Sequence, residues 1–311
     1  MYDTIVIGAG PAGLTAALYA SRRLLKTLLL SRDLGGQAAK TFDIENYPGF
    51  TKISGIELAK KMKEQAESFG TEFHYEETKE IVPTKEGFLI KTLNNEYKTK
   101  SVILAFGKQP RELGVPGEQE FKGRGVSYCA TCDAPFYGGK TVVVVGGGNS
   151  ALDGAILSSK IAKKIYLVHR SSFSGEQIMI DRVKKIDNIE IIMPNNIKEI
   201  KGDKVVTGVL LESGKVLEAD GVLIEVGYTV DRTLVNGLLD LNEKNQIITN
   251  ITQETSVPGI FAAGDLTTTP YKQIVVAAGE GAKAALSAYD YIQRVEGKKG
   301  ITGDWQKINK S

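Results

Sequence analysis

Only two cysteines occur in the 311 residues, Cys129 and Cys132, and they are close neighbours. A staple this local closes almost no loop, so a disulfide framework is excluded. A structural zinc site normally needs four ligands, and the two histidines, His74 and His169, lie far apart in sequence. No metal is therefore expected. What remains for the pair is a redox-active dithiol in a reducing compartment. An excess of one charge is missing too: 39 basic and 37 acidic residues leave +2. That balance argues against a nucleic-acid or membrane-surface partner. No apolar run reaches the roughly 18 residues of a membrane-spanning helix. The stretch 5–20 is mostly apolar, but it lacks a basic leader and is broken by Gly8, Gly10, Pro11 and Gly13. It is not read as a signal peptide, and a cytoplasmic location is expected.

Glycine, by contrast, is abundant: 34 of 311 residues, about 11% against an average near 7%. The excess points to tight turns and close backbone–ligand approaches. With 42% hydrophobic and 24% charged residues the composition is globular, and the length suggests about two domains.

Thr4-Ile5-Val6-Ile7 is β-branched and apolar, and it runs directly into Gly8-Ala9-Gly10-Pro11-Ala12-Gly13. Residues 14–23 then carry apolar positions at helical spacing, and Leu28-Leu29-Leu30 supplies a second strand. Strand, glycine turn, helix and strand form the opening of a dinucleotide-binding unit. Gly8 makes the tight turn, Gly10 lets a pyrophosphate approach, and Gly13 lets helix and strand pack. The phosphates then rest on amides at the helix N-terminus. The same grammar recurs at 142–145, with Gly146-Gly147-Gly148-Asn149-Ser150-Ala151, a helix to Lys160, and a strand 165–168 ending at His169-Arg170. One such turn is weak evidence for a nucleotide; two in the same context are strong.

A helix over 56–69 and alternating strands up to 104 lie between the two units. Residues 111–120, with Pro116 and Gly117, read as a linker. Further strands are expected near 189–192, 205–211 and 222–226. Residues 247–265 and a helix over 273–294 have no nucleotide turn of their own, so they return to complete the first domain. The polar, basic tail after Glu296 reads as a solvated terminus. The expected fold is α/β, with two Rossmann-like dinucleotide-binding domains, the second inserted into the first. Residues 1–112 and 243–311 make one domain, and 113–242, carrying the cysteines, make the other.

This arrangement resembles the low-molecular-weight thioredoxin reductases of the pyridine nucleotide-disulfide oxidoreductase family. The resemblance is carried by Gly8 to Gly13, Gly35-Gly36-Gln37, Glu45-Asn46-Tyr47-Pro48-Gly49, and Gly123-Arg124-Gly125-Val126-Ser127-Tyr128-Cys129-Ala130-Thr131-Cys132-Asp133. Gly146 to Ala151 and Gly259-Ile260-Phe261-Ala262-Ala263-Gly264-Asp265 complete it. It implies an FAD enzyme that passes electrons from NADPH or NADH through its own disulfide to thioredoxin or a similar small CxxC protein, and it implies a homodimer. FAD would meet Gly8, Gly10, Pro11, Ala12, Gly13, Gly36, Gln37, Asn46, Ala105, Gly107, Gly264, Asp265, Lys272, Gln273 and Ile274. The nicotinamide nucleotide would meet Gly146, Gly148, Asn149, Ser150, Ala151, His169 and Arg170.

By the same resemblance, Cys132 is the sulfur nearer the flavin, Cys129 attacks the substrate disulfide, and Asp133 shuttles a proton. From sequence alone Asp133 also reads as a cap ahead of Ala134-Pro135. Asp265 also reads as an aspartate N-cap after a turn, and His169-Arg170 as a polar strand end.

Three departures from the family pattern stand out. One arginine, Arg170, is followed by Ser171-Ser172-Phe173-Ser174 where further arginines are usual, and no acid closes the strand. A hydroxyl does not replace an arginine fork on phosphate, which leaves the choice between NADPH and NADH open. Lys272 stands where arginine is usual, keeping the charge near the pyrimidine side of the flavin without the planar fork. Tyr228-Thr229-Val230-Asp231 replaces a Pro-Asn pair, and only local loop changes are expected from it. Competing readings are a dithiol oxidase that uses oxygen, against which the intact second turn argues, and a non-catalytic flavin redox sensor, against which the cysteines and Asp133 argue.

Overall fold

The computed structural model describes residues 1–40 and 44–298, apart from the side chains of Thr131, Cys132 and Pro135. The tail expected to be solvated lies outside these residues beyond Lys298. Strand β1 (Tyr2–Ile7) buries every side chain from Thr4 to Ile7, as an interior parallel strand covered on both faces must. Helix α1 (Pro11–Arg22) opens on a proline, whose fixed φ suits a first helical position. β2 (Thr27–Leu30), α2 (Gly55–Ser68) and β3 (Glu72–His74) continue the parallel winding. β4 (Thr78–Thr84), β5 (Gly87–Thr92) and β6 (Glu96–Leu104) then form an antiparallel meander. The strand order β3-β2-β1-β6-β5-β4 places α1 and β2 to one side of β1 and β6 to the other. The end of β1 is therefore a topological switch point, where such sheets bind ligands.

The chain enters a second compact unit at Gln109 and leaves it after Thr229. Two-residue strands β7 (Gln109–Pro110) and β16 (Tyr228–Thr229) pair antiparallel at its two ends. Its main sheet is parallel, in the order β11 (Ile189–Ile192), β10 (Lys164–Val168), β9 (Thr141–Val145), β15 (Gly221–Ile224), β8 (Val126–Ser127). Helices α3 (Ala130–Asp133), α4 (Asn149–Ser159) and α5 (Gln177–Val183) belong to it, beside an antiparallel meander of β12 (Ile197–Gly202), β13 (Val206–Leu211) and β14 (Val216–Glu218). The order reverses at the end of β9, a second switch point.

Of residues 247–265, only β17 (Ile260–Ala262) is a strand; it pairs parallel with the C-terminal half of β6. Helix α6 (Ile274–Val295) closes the first unit against α1. A Cβ on Gly281 would lie 2.0 Å from the Ala12 carbonyl, so the two helices meet backbone to backbone.

The structural division falls at 108/109 and 229/230, where sequence reading placed 112/113 and 242/243. Val230, Val235 and Leu239 pack with Ile247 and Leu266 in the core of the first unit, which carries 230–242 with it. Residues 111–120, expected as a linker, are held in the second unit. Leu113 and Val115 pack on its core, and the Glu118 carboxylate accepts the amides of Leu113 (2.9 Å) and Gly114 (2.7 Å).

Candidate redox and nucleotide site

At the first turn the Gly8 amide donates to the Leu30 carbonyl (2.8 Å). Gly8 sits at φ +107°, and a Cβ there would lie 2.5 Å from the Ala105 carbonyl oxygen. A Cβ on Gly13 would stand 1.8 Å from the Gly8 carbonyl, so glycine is required for α1 to pack on the turn. Around Gly10 there is nothing for a Cβ to meet within 4 Å, and the same holds at Gly107. A Cβ on Gly36 would lie 3.8 Å from the Gly10 Cα. Gly10 caps α1 without a side-chain acceptor, and since Pro11 has no N–H the free amides of the first turn begin at Ala12 and are left for an anion. A bare glycine backbone facing open space beside an uncapped helix fits a dinucleotide pyrophosphate.

The other residues expected around the flavin lie in the same unit and make these contacts. The Ala105 amide donates to the Ile7 carbonyl (2.8 Å). Gln37 Nε2 donates to the Lys108 carbonyl (2.8 Å), and Asn46 Nδ2 to Gln273 Oε1 (3.2 Å). Gln273 caps α6, and Ile274 packs on the small cluster of Ile44, Ile53 and Leu58. The Gly264 amide donates to Glu280 Oε2 (2.7 Å). Burial chiefly pushes the neighbouring Asp265 carboxyl above its usual range, with Glu280 adding to this and Lys272 and Lys108 opposing it. Lys272 is held below its ordinary value by burial first, then by Lys108, and its Nζ donates to the Thr267 carbonyl (2.8 Å). Sequence reading passed over Glu280, which is 5% exposed and also takes the hydroxyls of Thr269 and Thr267.

The second turn is wrapped by the loop that follows β10. Gly146 donates to the Val168 carbonyl (3.0 Å), and the amides of Ser174 (2.8 Å) and Gly175 (3.2 Å) donate to the Gly147 carbonyl. Asn149 and Glu176 exchange bonds: the Glu176 amide donates to Asn149 Oδ1 (2.7 Å), and Asn149 Nδ2 to Glu176 Oε1 (3.2 Å). The His169 ring lies over Gly147 and stacks on Phe173, centroids 6.1 Å apart at 9°. Burial and then Arg170 hold its imidazole below the usual pKa. Gly148 caps α4, again without a side-chain acceptor. Gly146, Gly148, Asn149, Ser150, Ala151, His169 and the exposed Arg170 thus share one end of the parallel sheet.

The cysteine segment leaves β8 in the same unit. The Cys129 amide donates to Ser127 Oγ (3.0 Å), and the Asp133 amide to the Cys129 carbonyl (3.1 Å), which closes the turn of α3. Cys129 is disulfide-bonded; the side chain of Cys132 lies outside the described residues. Asp133 is half-buried and adds to the burial that pushes the Tyr137 phenol up. Tyr128 Oη donates to Glu118 Oε1 (2.8 Å). Beside Asp133 runs a groove of about 310 Å³, lined among others by Arg124, Phe136 and Lys140. Phe136 is 72% exposed there.

The family described as pyridine nucleotide-disulphide oxidoreductase matches residues 2–281. A thioredoxin reductase of Bacillus subtilis is 41% identical over 304 residues, 95% of this chain and 96% of the relative. Among solved structures, thioredoxin reductase of Lactococcus lactis in its FR conformation aligns with a TM-score of 0.84 at 39% identity, covering 94% of this chain and 100% of that one. The T. acidophilum enzyme aligns at 0.79 and 38%, covering 94% and 99%. With two glycine turns at two switch points and a cysteine helix beside the second, this chain belongs to the pyridine nucleotide-disulphide oxidoreductase family.

Proposed function

We propose that this chain is a thioredoxin-disulfide reductase, carrying electrons from a nicotinamide nucleotide through FAD and the Cys129–Cys132 disulfide to thioredoxin. The observation that carries the reading is the placement of Cys129, fixed by Ser127, in the same unit as the second nucleotide turn. FAD, when bound, supplies an acceptor for hydride and a donor to the disulfide. Gly8, Gly10, Pro11, Ala12, Gly13, Gly36 and Gly107 hold its phosphates and ribose. Gln37, Asn46, Ala105, Gly264, Asp265, Lys272, Gln273 and Ile274 line the remainder of its cleft. Gly146 to Ala151 would hold the nicotinamide nucleotide, with His169 and Arg170 beside them.

The reduced Cys129 attacks the thioredoxin disulfide as a thiolate and releases one thioredoxin sulfur. Cys132 then attacks Cys129 in the mixed disulfide, releasing the second sulfur and restoring the Cys129–Cys132 bond. Asp133 serves as proton donor and acceptor for the Cys132 thiol. Exposed Phe136 with Arg124, along the groove beside Asp133, makes an apolar and basic seat for the partner. The reading includes a homodimer, checked by sedimentation, and a cytoplasmic location, where a thiol pair can cycle. Among the described residues no helix is long and apolar enough to cross a membrane. Anaerobic titration with NADPH or NADH should bleach the flavin, and oxidised thioredoxin should restore its colour. A flavin that bleaches but is not reoxidised by thioredoxin would refute the reading.

Two expectations follow for the cofactor sites. Purified protein supplied with FAD should gain flavin absorbance, and Asp265→Asn should weaken that binding. The same substitution should raise the melting temperature of the flavin-free protein at neutral pH. A carboxyl whose folded pKa is raised stabilises only below its unfolded value, and that contribution is lost as pH rises through the folded one. An unchanged or lower melting temperature would contradict the assigned burial.

For the nicotinamide, Arg170 is the one cation in 169–176. Each charge-assisted bond forgone is worth about 1.5–3 kcal/mol, or roughly one to two decades of NADPH preference. Weak discrimination, or a preference for NADH, is expected. A preference for NADPH of about a thousandfold in kcat/KM would overturn this.

A further inference from the structure

Strand β15 is wholly apolar, yet an acid, Glu225, follows directly at its end and is 8% exposed. Its amide donates to the Val145 carbonyl (2.8 Å), which fixes it beside the Gly146 turn. The carboxylate reaches in two directions. Oε1 accepts the Ala130 amide (3.2 Å), and Oε2 takes the Ser150 hydroxyl in a short bond. The Ala130 nitrogen belongs to the peptide that joins Cys129 to α3, and Ser150 lies in the first turn of α4. Gly154 on α4 keeps the seam narrow: a Cβ there would stand 3.0 Å from Ala130 Cβ and 3.7 Å from Glu225 Cγ.

The carboxylate thus fills the seam between the cysteine helix and the nucleotide helix. The ionisable groups on the elements packed around it are Cys129, Cys132 and Asp133 at α3, Asp153 on α4, and Tyr228. The Tyr228 phenol is pushed up by burial and then by the charge of Glu225. None of β15, α3 or α4 contains a lysine or arginine. Burial pushes the Glu225 carboxyl above its ordinary value, against the pull of Ser150 and the Ala130 amide. A buried anion with no basic residue on the surrounding elements is a costly choice where an apolar side chain would fit the strand.

We propose that Glu225 is a positioning residue of the redox centre: it holds the Cys129–Ala130 peptide against the first turn of the nucleotide helix, and its negative charge disfavours the reduced, anionic dithiol. The inference rests on the redox role proposed for Cys129 and Cys132. Opening their bond takes up two electrons and leaves two sulfur anions, which bind protons as their acidities dictate. A carboxylate one peptide away raises the free energy of that product.

The test compares the wild-type flavoprotein with Glu225→Gln and Glu225→Ala. Each is equilibrated with a dithiothreitol redox couple at pH 8, and free thiols are counted by alkylation and mass. Loss of the charge should move the equilibrium toward the dithiol by about tenfold in both variants, about 30 mV in potential. Glutamine keeps the geometry, since its oxygen accepts from Ala130 and its amide donates to Ser150, so thioredoxin turnover should stay within about threefold of wild type. Alanine releases the peptide, and displacement of a reacting group on the order of 1 Å costs about a hundredfold. An unshifted thiol equilibrium in Glu225→Gln, or wild-type turnover in Glu225→Ala, would overturn the inference. If the alanine variant fails to fold, the glutamine equilibrium alone decides. If the wild type itself fails to reduce thioredoxin, the functional reading falls, while the alkylation measurement still reports the effect of Glu225.

Discussion

Cys129→Ser should lose thioredoxin reduction by at least about 10³-fold in kcat, the scale of removing a catalytic nucleophile, while NADPH or NADH still bleaches the flavin in a single turnover. The thiolate is the attacking species in exchange, and a serine hydroxyl is not ionised near neutral pH. The backbone around the position should not change: Ser127 holds the amide and Asp133 closes the turn on the carbonyl, and neither contact involves the sulfur. The two half-reactions are therefore separable by this one atom. Stopped-flow absorbance with nicotinamide alone, followed by oxidised thioredoxin, reads them in sequence. Thioredoxin turnover near the wild-type rate in the variant would remove Cys129 from the exchange role and leave the chain without its assigned nucleophile.

The second large effect concerns motion. The cysteine helix and the nucleotide turn belong to one unit, and Glu225 bonds to both, so they move as one body. Hydride transfer and thiol chemistry each need reacting atoms roughly 3–3.5 Å apart. Two sites on one compact body can hardly sandwich a flavin at the same time. On the proposed function, rotation of this unit within each turnover is the expected result, on the microsecond-to-millisecond scale of hinge motions. A covalent cross-link between the two units should cut steady-state turnover by at least about a hundredfold, as misplaced reacting groups do, while sparing one half-reaction. Full turnover by a cross-linked sample, or a structure with nicotinamide and disulfide both against the flavin, would end this account.

Local chemistry explains what could be read beforehand. The run Thr4-Ile5-Val6-Ile7 and the spacing of Gly8, Gly10 and Gly13 are contained within a few residues, and β1, the turn and α1 follow from them. Val142 to Val145 and the second turn are legible for the same reason. Long-range partnerships were not. Ala130 and Glu225 meet across 95 positions of sequence; the only local sign was an acid interrupting an apolar run, and a single acid at a strand end does not name its partner. The strand pair β7 and β16 is too short to show a period. The apolar spacing of Val230, Val235 and Leu239 announces a buried face but not which of two cores receives it. The bond from Lys272 to the Thr267 carbonyl is another partnership that the residue type alone does not name.

The ribbon formed by β7 and β16 gives the second unit the character of a cassette. Gln109 faces Thr229, Pro110 faces Tyr228, and the Arg111 amide donates to the Gly227 carbonyl (2.8 Å), so the first and last residues of the unit are neighbours. Both of its core clusters draw only on residues between them. A segment whose ends already touch can be spliced into a host loop at one place, because closing that loop adds little entropy beyond what the host loop had. The same geometry makes 109–229 a transplantable part, suited to circular permutation through its paired ends or to grafting between related hosts.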